Sequence, residues 1–322
     1  MSHLLFLSLA LVLLLALTAS VTCAADNPVE VGAVNWGRDI DAAMKRSEAT
    51  GKPVLVLFQE VPGCHGCKTF GKTVLTSPLL VEAIEDEFVP VLVHNNTNGI
   101  DKAILDRFEE PAWNNPVIRF LNADGTDVIP RKDRVWTLGS VASRMTKALD
   151  AARRPVPKYL ALLAAEHDTT NHATAAFAQH CYWVGEAELG RIDGVITTEA
   201  GWIGRREVTR VVYDKTTISL ETLAERAKSA RCAETVYAPG SEASSLVGFD
   251  TEPLDGRYRK AKASDQKKQI ERMKDLLGVP GLTDAQKTKL NALSVVQGAN
   301  ALEWLSPRQR QALAHTPATR AE

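Results

Sequence analysis

Net charge is nearly absent from this chain: its 322 residues carry 38 Lys and Arg against 39 Asp and Glu. No long-range field draws it to nucleic acid or to an anionic membrane surface. Cysteine is scarce as well, five in all, with one C-x-x-C, no second one, and no H-x-x-x-H. A structural zinc site needs two further ligands at knuckle-like spacing, so no metal is assigned from the sequence. The length exceeds one average domain and fits two, each with a core of its own.

One long apolar run is present, "LLFLSLALVLLLALTA" at 4–19, followed by the small residues "SVTCAAD". It is short for a membrane span and ends in a small-residue cleavage site before Asp26, the pattern of a signal peptide over 1–25. The segment before it has no Lys or Arg, which leaves an uncleaved membrane anchor as the alternative. Cleavage discards Cys23 and leaves Cys64, Cys67, Cys181 and Cys232 in a periplasmic or secreted protein, where disulfides persist. Two structural bridges are one use of these four. A C-x-x-C bridge, however, closes so small a loop that it constrains the unfolded chain little, and its usual purpose is chemistry.

The motif stands in "VPGCHGCKTFG", 61–71. Before it, "DIDAAMKRSEAT" places Ile40, Ala43, Met44 and Ser47 on one helical face ended by Gly51 and Pro53, and "VLVLFQE" reads as a buried strand. After it come helical sequence, a strand at 88–93, a strand–turn–strand hairpin at 115–129, and a helix ending near Arg153. Cys64 then lies at a helix N-terminus, where unpaired amides favour its thiolate, with Cys67 one turn later as resolving thiol. His65 either adds an electrostatic pull on Cys64 or is an exposed turn residue; Lys68 reads as solvated.

This order of elements, with the C-x-x-C after an apolar strand and Asn115-Pro116 before another, resembles the thioredoxin fold over roughly 30–153. The resemblance implies a cis-proline loop at Pro116 that binds substrate backbone. The domain is drawn at 26–153, and the Pro155 and Pro157 stretch begins a linker, 154–172, with a brief helical and polar lead-in.

Beyond it, a strand leads to "HCYWVGE", then "IDGV", "AGW", "GRREVTRVVYD" and "ISLETL", the last opening a helix capped by Ser219. In the same order these resemble the segments of peptide methionine sulfoxide reductase A, over 173–260. The resemblance implies that Cys181 is the nucleophile on the sulfoxide sulfur, with Tyr182 and Trp183 the wall for the substrate methyl group. Glu207 is the acid that protonates the departing oxygen, and Tyr258, in "DGRYRKA", a hydrogen-bond donor to it. Cys232 is either the thiol that condenses with sulfenylated Cys181 or a buried small hydrophobe. The chain departs from that family in lacking most of its loop between Trp202 and Arg205, in Arg205 and Arg206 for a histidine, and in His180 for a glycine.

The pairing of domains resembles the bacterial thioredoxin-like (seleno)proteins named for a V-P-G-U-x-x-T motif, with Cys64 at the selenocysteine position and Cys67 at the threonine. The helical C-terminal tail, 261–322, carries little chemistry; Leu276, Leu277, Leu290, Leu293 and Trp304 are read as packing on the second domain. The fold class is thus α/β and α+β: a thioredoxin-like domain, a methionine sulfoxide reductase A-like, ferredoxin-like α/β domain, and the tail.

The function expected is an exported thiol-dependent oxidoreductase whose C-x-x-C reduces the second domain's cysteines in cis. It needs no bound cofactor, only an external thiol reductant, and acts on oxidised protein or peptide methionine sulfoxide, not nucleic acid. The alternative is a non-catalytic redox-sensing or metal-binding module, its cysteines structural or holding copper.

Overall fold

A computed structural model describes residues 27–113, 116–273, 276, 278–298 and 300–315. The apolar N-terminal run, Cys23, Asn115 and Leu277 lie outside the described residues. Among the described residues no helix is long and apolar enough to cross a membrane.

The first unit is built on a sheet of β1 (Val54–Gln59), β2 (Val89–His94) and β3 (Val117–Leu121), in the order β2-β1-β3. β1 runs parallel to β2 and antiparallel to β3. Every residue of β1 is buried, because both faces are covered, which is why it reads as an unbroken apolar run. Val54, Val56 and Phe58 face a cluster with α1 (Ile40–Thr50) and α4 (Ile100–Arg107). Leu55 and Leu57 face the opposite one, with α2 (His65–Thr73), α3 (Pro78–Glu87) and α5 (Leu138–Ala151). Asp39 caps α1 by accepting the Asp41 and Ala42 amides, and Gly51 ends it at φ 67°.

The hairpin expected at 115–129 forms only in part. Its first arm is β3, but its second is a single bridge, Leu121↔Asp127, extended by the Val128 amide to the Phe120 carbonyl. Pro130 has no N–H to carry the ladder further, and Asp127 is engaged sideways with the Arg119 guanidinium at 2.7 Å.

Residues 154–172 are not an open tether. They hold α6 (Lys158–His167), with Tyr159, Leu160 and Leu163 buried in the first unit's core and Leu162 buried against Ile196 and Ala285 of the second. The helix therefore joins the two cores.

The second sheet comprises β4 (His172–Ala178), β5 (Val195–Ile203), β6 (Arg206–Asp214), β7 (Thr235–Ala238), β8 (Thr251–Pro253) and β9 (Tyr258–Lys260) in the order β8-β7-β4-β6-β5-β9. Only the β7–β8 pair is parallel. α7 (Tyr182–Gly190) and α8 (Leu220–Ser229), the latter capped by Ser219, cover one face around Phe177, Val211, Tyr213 and Leu223. A short α9 (Gly240–Ala243) follows β7.

The tail is a working layer of this unit. α10 (Asp284–Leu293), opened by a Thr283 and Gln286 capping box, packs on α7 and β5. Leu276 and Leu290 form a small core with Ile270 and Leu305, against which Leu293 packs, while Trp304 packs where α6, β5 and α10 meet. α11 (Pro307–His315) returns to the first unit: the Arg308 amide donates to Glu82 Oε1 at 2.7 Å, and its guanidinium pairs with Glu85.

Candidate functional site

Leaving β1, the chain turns through Glu60–Gly63 and enters α2 with Cys64 as its N-cap residue. Two acids hold this loop. Glu30, 3% exposed in a short 3-10 turn, accepts the Gly63 amide at 2.8 Å, and Glu60 Oε2 accepts the Cys64 amide at 3.3 Å. Asn96 brackets Pro62 from the end of β2, accepting the Val61 amide and donating to the Pro62 carbonyl. A side chain at Gly63 has no room: a Cβ there lies 2.5 Å from the Glu60 carbonyl and 2.7 Å from Cys67 Cβ.

Cys64 is exposed and Cys67 fully buried, their Sγ atoms 3.5 Å apart and not joined by a disulfide. Hydrogen bonds from the Cys67 and Gly66 amides and the Cys67 thiol hold the Cys64 pKa below its usual value, against a smaller opposing pull from burial and the Glu60 charge. Burial pushes Cys67 up to about 12. Amide hydrogen bonds at the helix start thus favour the thiolate of Cys64, while burial keeps Cys67 protonated. His65 is turned along α2 to within 3.3 Å of the Thr69 hydroxyl, and Lys68 is exposed.

Pro116 is buried at the same end of the sheet, since the next residue, Val117, pairs with Phe58; its carbonyl accepts the Trp136 indole N–H at 3.0 Å. The Asn115–Pro116 bond, expected to be cis, includes a residue outside the described ones. The Val61–Pro62 bond is cis.

In the second unit Cys181, half-buried, is the N-cap residue of α7. Glu207 Oε2 accepts the Tyr182 amide at 2.8 Å, which sets that carboxylate beside the helix end that carries Cys181. Tyr182 stacks edge-on against Trp183 and Trp202, with centroids 5.9 and 5.5 Å apart, and the Trp183 indole donates to the Asp265 carbonyl of the tail. The β4–β7 pairing ends at Ala178↔Thr235, three residues short of Cys181 on one strand and of Cys232 on the other. Cys232 is 1% exposed, packed beside Leu223 and Val236, and pushed up to about 11 chiefly by burial, with the Cys181 charge adding to the shift.

Tyr258 is not with them. β9 pairs with β5 so that its ring covers Gly201, where an added Cβ would collide with it, and its hydroxyl donates to Glu199 Oε1 at 2.9 Å. Glu207 pairs with Trp202 on the other face of the sheet. The hydrogen bond expected from Tyr258 to an oxygen at Cys181 is therefore not available in this arrangement.

Glu30 and Glu60 are the site residues that sequence reasoning missed. For Glu60 a signal existed, an acid at the mouth of the C-x-x-C loop; for Glu30 there was none, because its contact is made across 33 positions of sequence.

No curated protein matches the chain. A solved structure titled "DsbH Oxidoreductase" is similar to it at 16% identity over 39% of this chain and 91% of that one, with a TM-score of 0.32. The family model described as Thioredoxin-like matches residues 35–123, ending before the second sheet. That part of the chain, with β1, β2, β3 and both cysteines of the motif, is a thioredoxin-like domain.

Proposed function

We propose that the protein is an exported thiol-disulfide oxidoreductase, and one observation carries this reading: an exposed, thiolate-favouring Cys64 within 3.5 Å of a buried Cys67. The Cys64 thiolate attacks one sulfur of a substrate disulfide, forming a mixed disulfide and releasing the other sulfur as a thiolate. Cys67 then loses its proton and attacks Cys64 Sγ; the second substrate thiol leaves and the Cys64–Cys67 disulfide remains. An external dithiol takes that disulfide back to two thiols.

The substrate proposed is the chain's own second unit. Cys181 attacks a sulfoxide sulfur, the oxygen is transferred, and a thioether and a Cys181 sulfenic acid result. Cys232 condenses with that sulfenic acid, expelling water and leaving a Cys181–Cys232 disulfide for Cys64. The Cys181 charge that adds to the raised Cys232 pKa, a sign that the two groups lie within electrostatic reach, and the Glu207 carboxylate beside Cys181 support this step. With Tyr258 on the far face, Glu207 is left to relay the proton of the Cys181 thiol to the departing oxygen. Tethering raises the concentration of each centre at the other.

The test follows thiols by mass-tagged alkylation of the full chain after one turnover with a methionine sulfoxide peptide. A disulfide at Cys181–Cys232 in the Cys64→Ser variant, moving to Cys64–Cys67 in the parent, is the expected result. If Cys64 and Cys67 resist both oxidation by disulfides and reduction by dithiols, the oxidoreductase reading fails.

A further inference from the structure

We infer that Glu60, Cys64 and Cys67 form a metal site when the cysteines are reduced, taking one borderline divalent cation of the Zn²⁺ kind and leaving one coordination position open. The inference uses residues of the same site but does not rest on the oxidoreductase reading.

Three donor atoms from one short loop, a carboxylate oxygen of Glu60 and the two Sγ atoms, lie within 4.8 Å of one another. The distances decide what they fit. Tetrahedral Zn–S bonds of about 2.3 Å put two sulfurs roughly 3.8 Å apart, whereas a disulfide needs about 2.05 Å. The observed 3.5 Å is that of the thiol–thiol hydrogen bond, so the pair has to open by only about 0.3 Å to take the ion. Glu60 is already aimed at the motif, because its Oε2 accepts the Cys64 amide, and the Gly63 amide is held by Glu30, so the loop presenting all three donors is fixed before an ion arrives.

The donor set sets the selectivity. Two thiolates with one carboxylate suit Zn²⁺ and its congeners and disfavour Mg²⁺ and Ca²⁺, which take oxygen ligands. Among the described residues no fourth His, Cys, Asp or Glu joins the group, so the remaining position is open to water or an incoming ligand, as in zinc sites that are not closed structural knuckles. Binding releases the two thiol protons to solvent and forms two metal–sulfur bonds. When an external disulfide oxidises the pair, two electrons pass to that disulfide, which leaves as two thiols; the Cys64–Cys67 sulfurs then carry no thiolate charge and the cation departs. Cation and disulfide are mutually exclusive states of one loop.

The experiment is a titration of the full chain, reduced and then freed of reductant, with Zn²⁺ alone against a chromophoric chelator, and with Co²⁺ as spectroscopic probe. A Cys181→Ser, Cys232→Ser variant removes the other thiols. One ion per chain is expected, with thiolate-to-cobalt charge transfer and tetrahedral ligand-field bands. Glu60→Gln is expected to weaken Zn²⁺ by at least about tenfold and shift the cobalt bands, and Cys67→Ser to abolish binding. Oxidised protein is expected to bind none. Equal affinity and identical spectra for Glu60→Gln, or no binding by reduced protein, overturns the inference. A pair that cycles between thiol and disulfide without binding Zn²⁺ overturns it and leaves the oxidoreductase reading standing; Zn²⁺ binding by a pair that will not oxidise does the reverse.

Discussion

Glu30 holds Gly63: a carboxylate 3% exposed accepts the Gly63 amide at 2.8 Å and so ties the residue before Cys64 to the N-terminal 3-10 turn. The same turn meets α2 at Gly71, where an added Cβ would collide with the Val29 carbonyl. The position of Cys64 thus depends on a segment far from it in sequence.

Glu30→Ala leaves the half-buried Gly63 amide without its partner and is expected to cost about 1–3 kcal/mol. Gly63→Ala is expected to cost as much by overpacking, because backbone and Cys67 Cβ stand where the methyl goes. Both also slow Cys64 alkylation, since the loop that sets its hydrogen bonds shifts. Urea unfolding gives the first effect and iodoacetamide kinetics the second. Unchanged stability in Glu30→Ala removes the anchoring role.

Cys64 reactivity has a definite pH signature. Its pKa is lowered, so in a Cys181→Ser, Cys232→Ser background alkylation is expected to reach half its maximum below the ordinary cysteine value of 9.0. Cys67, at about 12, stays protonated and unreactive through that range. Cys67→Ala removes a hydrogen bond to the thiolate and moves the inflection up; Glu60→Gln removes an opposing charge and moves it down. An inflection that ignores both substitutions sinks this account of the thiolate.

What was legible in the sequence was local. The apolar run of β1, the turn and the C-x-x-C are contiguous, and so are the alternating stretches that became β5 and β6 and the serine-capped α8. The rest depended on partners. Pro155 and Pro157 suggest a linker, yet Leu160 and Leu163 of α6 have a core to enter only once α5 stands beside them. The three-residue β9 carries no face preference of its own; pairing with β5 over Gly201 turns Tyr258 away from Cys181. Glu60 and Glu30 join the site through a loop that only the folded sheet closes.

The proposed condensation of Cys232 with Cys181 predicts a bridge. In a Cys64→Ser, Cys67→Ser background, mild oxidation with an aromatic disulfide is expected to join Cys181 to Cys232, although burial and a pKa near 11 keep Cys232 from outside reagents. Tyr258→Phe is expected to leave the rate unchanged, because its hydroxyl is bound to Glu199 on the other face. Non-reducing peptide mapping reads the result; a stable mixed disulfide on Cys181 with Cys232 unmodified contradicts it.

Lys289 gives the second unit a pH-dependent stability whose sign can be worked out. The residue is 5% exposed, and its ammonium lies under the Trp304 ring and donates to the Gly190 and Ile192 carbonyls at 2.9 and 3.4 Å. Burial nevertheless lowers its pKa from 10.5 to about 8. Between those values the unfolded chain binds more proton than the folded one, so stability rises with pH across the window and is flat, for this group, above it. Below about pH 8 the folded state must carry the buried charge, a penalty on the order of 3 kcal/mol. Lys289→Met keeps the packing and has no proton to lose. Parent and variant are compared by urea unfolding at about pH 7.5 and about pH 10. The parent is expected to gain stability relative to the variant as pH rises; parallel profiles show that the ammonium is as well solvated in the fold as outside it.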